Sequence, residues 1–154
     1  GYVFVDALAI AAQTLVSEYK TKFHDYRNSD LKIYLNKLTL RISASLFVFS
    51  SIFLDTLITL ITDKSLGQLI DFELRILFGL SLLIGSFAFL WDGVLLGLDK
   101  SREFSSLTVV SSIVGFVSCS YLLNFENSLS SLWIGLNLSL VYRGIVGFLY
   151  QIRD

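Results

Sequence analysis

Apolar residues gather into five runs, at 2–16, 42–61, 74–98, 104–125 and 132–152, and short polar stretches separate them. The run 104–125 holds 22 residues without one charged side chain. At about 1.5 Å of rise per residue, such a run crosses the ~30 Å hydrocarbon of a bilayer as a helix. The runs 42–61, 74–98 and 132–152 are of similar length, and each carries isolated charges: Asp55; Arg75 and Asp92; Arg143. Within a membrane the backbone must satisfy its own hydrogen bonds, so uninterrupted apolar runs of this length predict helices. The fold class expected is all-α: a polytopic membrane helix bundle of about five transmembrane helices, with residues 1–154 as one domain. The first run is too short to span. Residue 1 is Gly, and the sequence contains no Met. The expectation is a C-terminal piece of a longer chain, cut within a transmembrane helix.

Polar positions inside the runs fall on single helix faces. Ser51, Asp55 and Thr59 recur every four residues, and Ser81, Gly85, Ala88 and Asp92 follow the spacing of one helical stripe. Gly93 and Gly97, four apart, predict close approach by a neighbouring helix. Residues 31–40 alternate apolar and charged positions at roughly helical spacing, which predicts the front of the second spanning helix at headgroup level. Residues 62–73 and 124–131 read as turns between helices.

Composition sharpens this picture. The chain is 54% hydrophobic and only 16% charged, with mean hydropathy +0.69. Soluble domains carry about 25% charged residues, so this composition predicts an integral membrane protein. A net charge of −1 gives no field that would draw nucleic acid. His24, the one histidine, falls in a charged stretch and reads as a solvated loop residue; Cys119, the one cysteine, reads as a small apolar packing residue. Neither a Ser/His/Asp arrangement nor metal-ligand spacing occurs, so an enzyme ranks last, with no catalytic residue, metal or cofactor expected. Residues 19–41 hold six Lys or Arg, the 62–73 stretch one, the 99–103 turn two, and the 124–131 stretch none. This alternation predicts that 19–37, 99–103 and the C-terminus share the cytoplasmic side.

The stretch F-L-W-D-G-V-L-L-G-L-D-K-S-R-E-F, residues 89–104, resembles the penultimate-loop signature of the multidrug and toxic compound extrusion (MATE) transporters, in the branch of the DNA-damage-inducible protein F. D-A-L-A-I-A-A-Q-T-L-V at 6–16 is similar to that family's small-residue helix, and W-I-G-L-N-L-S-L-V-Y-R-G-I at 133–145 resembles its last helix, which ends in an arginine-glycine pair. Departures are Ser17-Glu18-Tyr19-Lys20 where the family has a Gly-rich helix end, and Ala7 where a Gly follows the first acid. The family's protonating helix-one aspartate has no counterpart here. The resemblance implies helices eight to twelve of a twelve-helix transporter, most of its second lobe. The implied activity is secondary active export of organic, often cationic compounds by alternating access, with H⁺ or Na⁺ as coupling ion. The implied partners are membrane lipids, a small organic substrate and the N-terminal lobe. A bacterial inner membrane is the expected location, with a plastid envelope as alternative. Two other functions stay open, a non-transporting membrane scaffold or truncated product and a lipid-linked saccharide flippase.

Charges in hydrocarbon are costly and usually face a bundle interior or a wet cavity. Asp6, Gln13, Asp55 and Asp92 are therefore the candidates for a cation or substrate cavity. Asp6 lies about 20 Å along the helix from Tyr19, hence deep. Asp55 reads as a residue at the mouth of the lobe. Asp92 also has a structural reading. It lies about 10 Å from Asp99, and Arg143 lies about 12 Å from Gln151, so the two have matching depths and are the candidate ion pair. Trp91 reads as a packing or lipid-facing aromatic.

Overall fold

The structure, a computed structural model, describes residues 2–23, 30–61, 71–125 and 129–152, apart from the side chains of 2–4, 55, 57–59, 61, 151 and 152. Among these described residues five helices run in order: α1 (Tyr2–Phe23), α2 (Asp30–Ile61), α3 (Phe72–Gly97), α4 (Ser101–Phe125) and α5 (Leu129–Ile152). Four of them contain segments long and apolar enough to cross a membrane: Asp30–Leu54, Phe72–Gly97, Ser101–Phe125 and Leu129–Tyr150. The chain is an integral membrane protein. The expected count of about five spanning helices is corrected to four among the described residues, because Asp6, Gln13 and Glu18 interrupt the apolar character of α1. The helix nevertheless continues past Ser17-Glu18 to Phe23, further than the apolar run. The second span also begins earlier than residue 42, since α2 is helical from Asp30 onward.

The bundle is organised around α3. Helices α1, α2 and α5 all pack on it, while α4 packs mainly on α5. Fourteen of the 26 residues of α3 are buried, against two in α4, Leu107 and Ser111. Leu90, Trp91 and Val94 of α3 meet Ala12 and Val16 of α1 and Leu35 of α2 in the main apolar cluster. The ring of Trp91 lies 5.4 Å from that of Phe148 on α5, so it is a packing residue. The outer face of α4 leaves Val109, Ile113, Phe116 and Val117 exposed, as a surface in contact with lipid would.

Small residues set the spacing. A Cβ at Gly93 would run into the Ala9 backbone, 3.0 Å from its Cα, and one at Gly97 would sit 2.7 Å from the Gln13 carbonyl oxygen. Only hydrogen at these two positions lets α1 and α3 touch backbone to backbone. Several buried hydroxyls bond back to their own helix, whereas those of Thr39 and Ser51 have no hydrogen-bond partner among the described residues. Ser81 donates to the Phe78 carbonyl at 2.7 Å and Ser86 to Leu82 at 2.6 Å, each within its own helix. Asn137 and Ser139 reach across to other helices: Asn137 Nδ2 donates to the Leu77 carbonyl at 3.1 Å, and Ser139 Oγ to the Ser111 carbonyl at 2.7 Å.

Helix α3 ends in a Schellman turn. The Lys100 N–H reaches the Leu95 carbonyl at 2.9 Å and the Asp99 N–H the Leu96 carbonyl at 3.1 Å, with Asp99 left-handed at φ 63°. Lys20 of α1 covers this end. Its Nζ donates to the Leu98 carbonyl at 3.0 Å and pairs with Asp99 Oδ2 at 2.7 Å, a cation at a helix C-terminus. The end of α1 and the α3–α4 turn therefore lie at the same end of the bundle. The start of α2 joins them, because Lys32 Nζ sits 6.0 Å from the Phe148 ring near Trp91.

Candidate functional site

A cavity of about 400 Å³ opens between α1, α3, α4 and α5. From α1 come Asp6, Ala9, Ile10 and Gln13, residues one helical turn or two apart and so on one side of the helix. From α3 come Phe89, Asp92, Gly93 and Leu96, again at helical spacing; Phe104 of α4 and Arg143 of α5 complete the lining. The close α1–α3 crossing at Gly93 brings the two helices together here, so the acid of α1 and the acid of α3 share one space.

The back of the cavity is an ion pair. Arg143 Nε donates to Asp92 Oδ1 at 3.1 Å, and Nη2 lies 2.8 Å from Oδ2. The second approach is close but off the line of its N–H, so Oδ2 has a charge contact without an aligned hydrogen bond. Nη2 also donates to Thr108 Oγ1 at 3.2 Å. The rings of Phe89 and Phe104 lie 5.6 and 5.7 Å from the guanidinium carbon, within cation–π range. The arginine is thus held by a carboxylate, a hydroxyl and two aromatic faces. The carboxylate is held by the arginine. Side-chain exposure is 17% for Arg143 and 5% for Asp92.

Electrostatically the pair cancels itself, which leaves Asp6 as the unbalanced charge among the lining residues. Asp6 and Gln13 are both exposed, seven residues apart, and stand about 10 Å from one another along the axis. The cavity therefore presents one carboxylate, one amide and aromatic or aliphatic walls. That combination suits a cation with an apolar body.

Three of the four cavity candidates from the sequence, Asp6, Gln13 and Asp92, come together. The fourth, Asp55, has its side chain outside the described residues, as has Thr59 of the same stripe, and His24 lies outside them altogether. Cys119 is half-buried against Gly135, its Sγ 3.6 Å from the Leu132 carbonyl. Sequence reasoning passed over Phe89, Phe104 and Thr108. Phe89 stands three residues before Asp92, and Thr108 four after Phe104, so the helical spacing around the charged residues was the available signal.

Compared with protein-family models, with curated proteins and with solved structures, the chain matches none.

Proposed function

We propose that this chain forms one wall of the translocation cavity of a secondary active transporter of the MATE type, whose export of organic, often cationic compounds is driven by an H⁺ or Na⁺ gradient. The observation that carries the reading is the cavity that Asp6 and Gln13 share with the Asp92–Arg143 pair. A carboxylate in an aromatic and aliphatic cleft attracts a lipophilic cation and can release it when a proton or metal ion competes. The three sequence stretches that resemble the family meet at this cavity: residues 6–16 supply Asp6 and Gln13, 89–104 supply Phe89 and Asp92, and 133–145 supply Arg143. A second lobe would close the open side, as alternating access requires.

The test is transport itself. The protein, together with its companion lobe, is reconstituted in liposomes preloaded with an amphiphilic fluorescent cation such as ethidium. Imposing an H⁺ or Na⁺ gradient should drive dye movement that stops when an ionophore collapses the gradient. Dye movement indifferent to both gradients, or none at all, overturns the reading.

A further inference from the structure

The exposed face of α2 carries a groove of about 490 Å³, lined by Ala44, Ser45, Val48, Phe49, Ile52 and Phe53. Ala44 and Ser45 make the dip, because their side chains are short. The neighbouring rings of Phe49 and Phe53, tilted by 33° with 5.0 Å between centroids, make one wall. The Ser45 hydroxyl donates to the Arg41 carbonyl at 2.9 Å, so the dip offers no unused donor to water. One turn and two turns before the dip, on the same stripe, stand Arg41 and Lys37, both exposed. Neither makes an ion pair or a side-chain hydrogen bond among the described residues. Two cations four residues apart on a helix repel each other, and an anion between them removes that cost.

Depth gives the groove its orientation. Helix α2 has 32 residues, about 48 Å of length, whereas about 20 residues cross the hydrocarbon. Apart from Asp55, the charged residues of α2 all fall between Asp30 and Arg41, so Lys37 and Arg41 close the charged part of the helix, where a headgroup layer would meet it, and the groove begins directly after them in the apolar part. This is the end of the bundle that also carries Lys20, Lys22, Lys32 and Arg102. We propose that the groove binds an anionic phospholipid, its phosphate held by Lys37 and Arg41 and one acyl chain lying along residues 44–53. An arginine can fork onto a phosphate, and a basic side chain near an anionic surface adds attraction that falls away within a Debye length. Lys20 is committed to Asp99 and Lys32 is turned toward Phe148, so neither competes for this headgroup. The inference requires a membrane-embedded bundle and does not require transport.

The test is lipid retention by native mass spectrometry. Protein in detergent is equilibrated with equal phosphatidylglycerol and phosphatidylcholine, and the retained lipid is identified. The unaltered protein should keep phosphatidylglycerol. The Lys37→Gln/Arg41→Gln variant should lose that preference by roughly tenfold. A Lys22→Gln/Arg102→Gln variant removes the same charge from exposed positions at the same end and should lose less than about twofold. Ala44→Trp fills the dip at an exposed position, leaves both cations in place, and should also release the lipid. Equal losses in the two charge variants overturn the site in favour of a general surface potential. Full retention by Ala44→Trp overturns the acyl-chain placement. A photo-crosslinker at Val48 that captures a protein segment in place of lipid shows that another chain covers the groove, and that too overturns the proposal.

Discussion

Arg143 on α5 spans to Asp92 on α3 and supplies the buried carboxylate with its only charge contact among the described residues, at 2.8 Å. The relation is unequal. Arg143 keeps Thr108 and two aromatic rings if Asp92 is neutralised, whereas Asp92 keeps no partner shown here if Arg143 is removed. Removing one member of a buried pair costs roughly 3–5 kcal/mol, since an unpaired charge remains, while replacing both can be nearly neutral. Arg143→Gln is therefore expected to destabilise more than Asp92→Asn, and the double variant less than the two singles added together. Unfolding of purified protein in detergent measures all three. If the double variant's loss equals the sum of the single losses, the residues are not coupled.

Three glycines of α3, Gly85, Gly93 and Gly97, differ in what surrounds them. At Gly93 and Gly97 an added methyl group meets the backbone of α1, which cannot step aside without moving the whole helix. At Gly85 the nearest atom is Leu140 Cδ1 at 3.6 Å, an ordinary contact. Gly93→Ala and Gly97→Ala should each cost roughly 1–3 kcal/mol as overpacking. Gly85→Ala should be neutral or gain up to about 1 kcal/mol from helix propensity. Melting temperatures of the three variants, side by side, give the ranking. Equal behaviour of Gly85→Ala and Gly93→Ala would refute the close α1–α3 crossing.

These elements also show what the sequence could and could not convey. Helices α3, α4 and α5 were legible to within three residues at each end, because apolar length is set by membrane thickness and nothing else competes. The end of α1 was not, because polarity ended the pattern at Val16 while the helix went on to Phe23, whereas the helical spacing of 31–40 marks the beginning of α2 to within one residue of Asp30. A helix leaving the hydrocarbon keeps its hydrogen bonds among polar side chains, so polarity marks the boundary of the membrane and not of the helix. The depths of Asp92 and Arg143 could be counted from the charged turns. Which helix packs on Gly93 and Gly97 could not, since that depends on the facing of each stripe. Phe89, Phe104 and Thr108 were overlooked for the same reason: aromatic and hydroxyl residues are common on every helix here, and only their positions around the guanidinium distinguish these three.

The turn at Asp99 separates backbone strain from charge. A non-glycine residue in the left-handed region costs roughly 1–2 kcal/mol, less for Asp and Asn than for others. The Lys20–Asp99 pair is largely exposed, with 82% of the Asp99 side chain open, so it contributes little. Asp99→Gly should therefore be within about 0.5 kcal/mol of the unaltered protein or better, and Asp99→Asn close to it, whereas Asp99→Val should cost about 1–2 kcal/mol. Thermal unfolding decides. A loss in Asp99→Gly as large as that in Asp99→Val would mean that the salt bridge, not the backbone, holds the turn.

Asp6 and Asp92 line one cavity, yet their substitutions should fail in different ways. Asp92 is buried and paired, so Asp92→Asn is expected to lower stability first and transport as a consequence. Asp6 is exposed on α1, makes none of the ion pairs found among the described residues, and supplies the cavity's unbalanced charge. Exposed substitutions away from special contacts usually stay within about 0.5 kcal/mol, so Asp6→Asn should fold and melt as before. Under the proposed transport function it should nevertheless weaken gradient-driven export by on the order of tenfold, the effect of about 1.4 kcal/mol of lost attraction for a cation. Asp55→Asn should weaken export less, because the sequence puts that residue near the outer end of α2, away from the cavity. The measurement pairs dye export by the transporter with the melting temperature of each variant. Asp6→Asn with normal export would remove Asp6 from the cation path. Loss of export together with loss of stability would make it a structural residue like Asp92. Export reduced at unchanged stability, and more than in Asp55→Asn, is the result that the cavity geometry predicts.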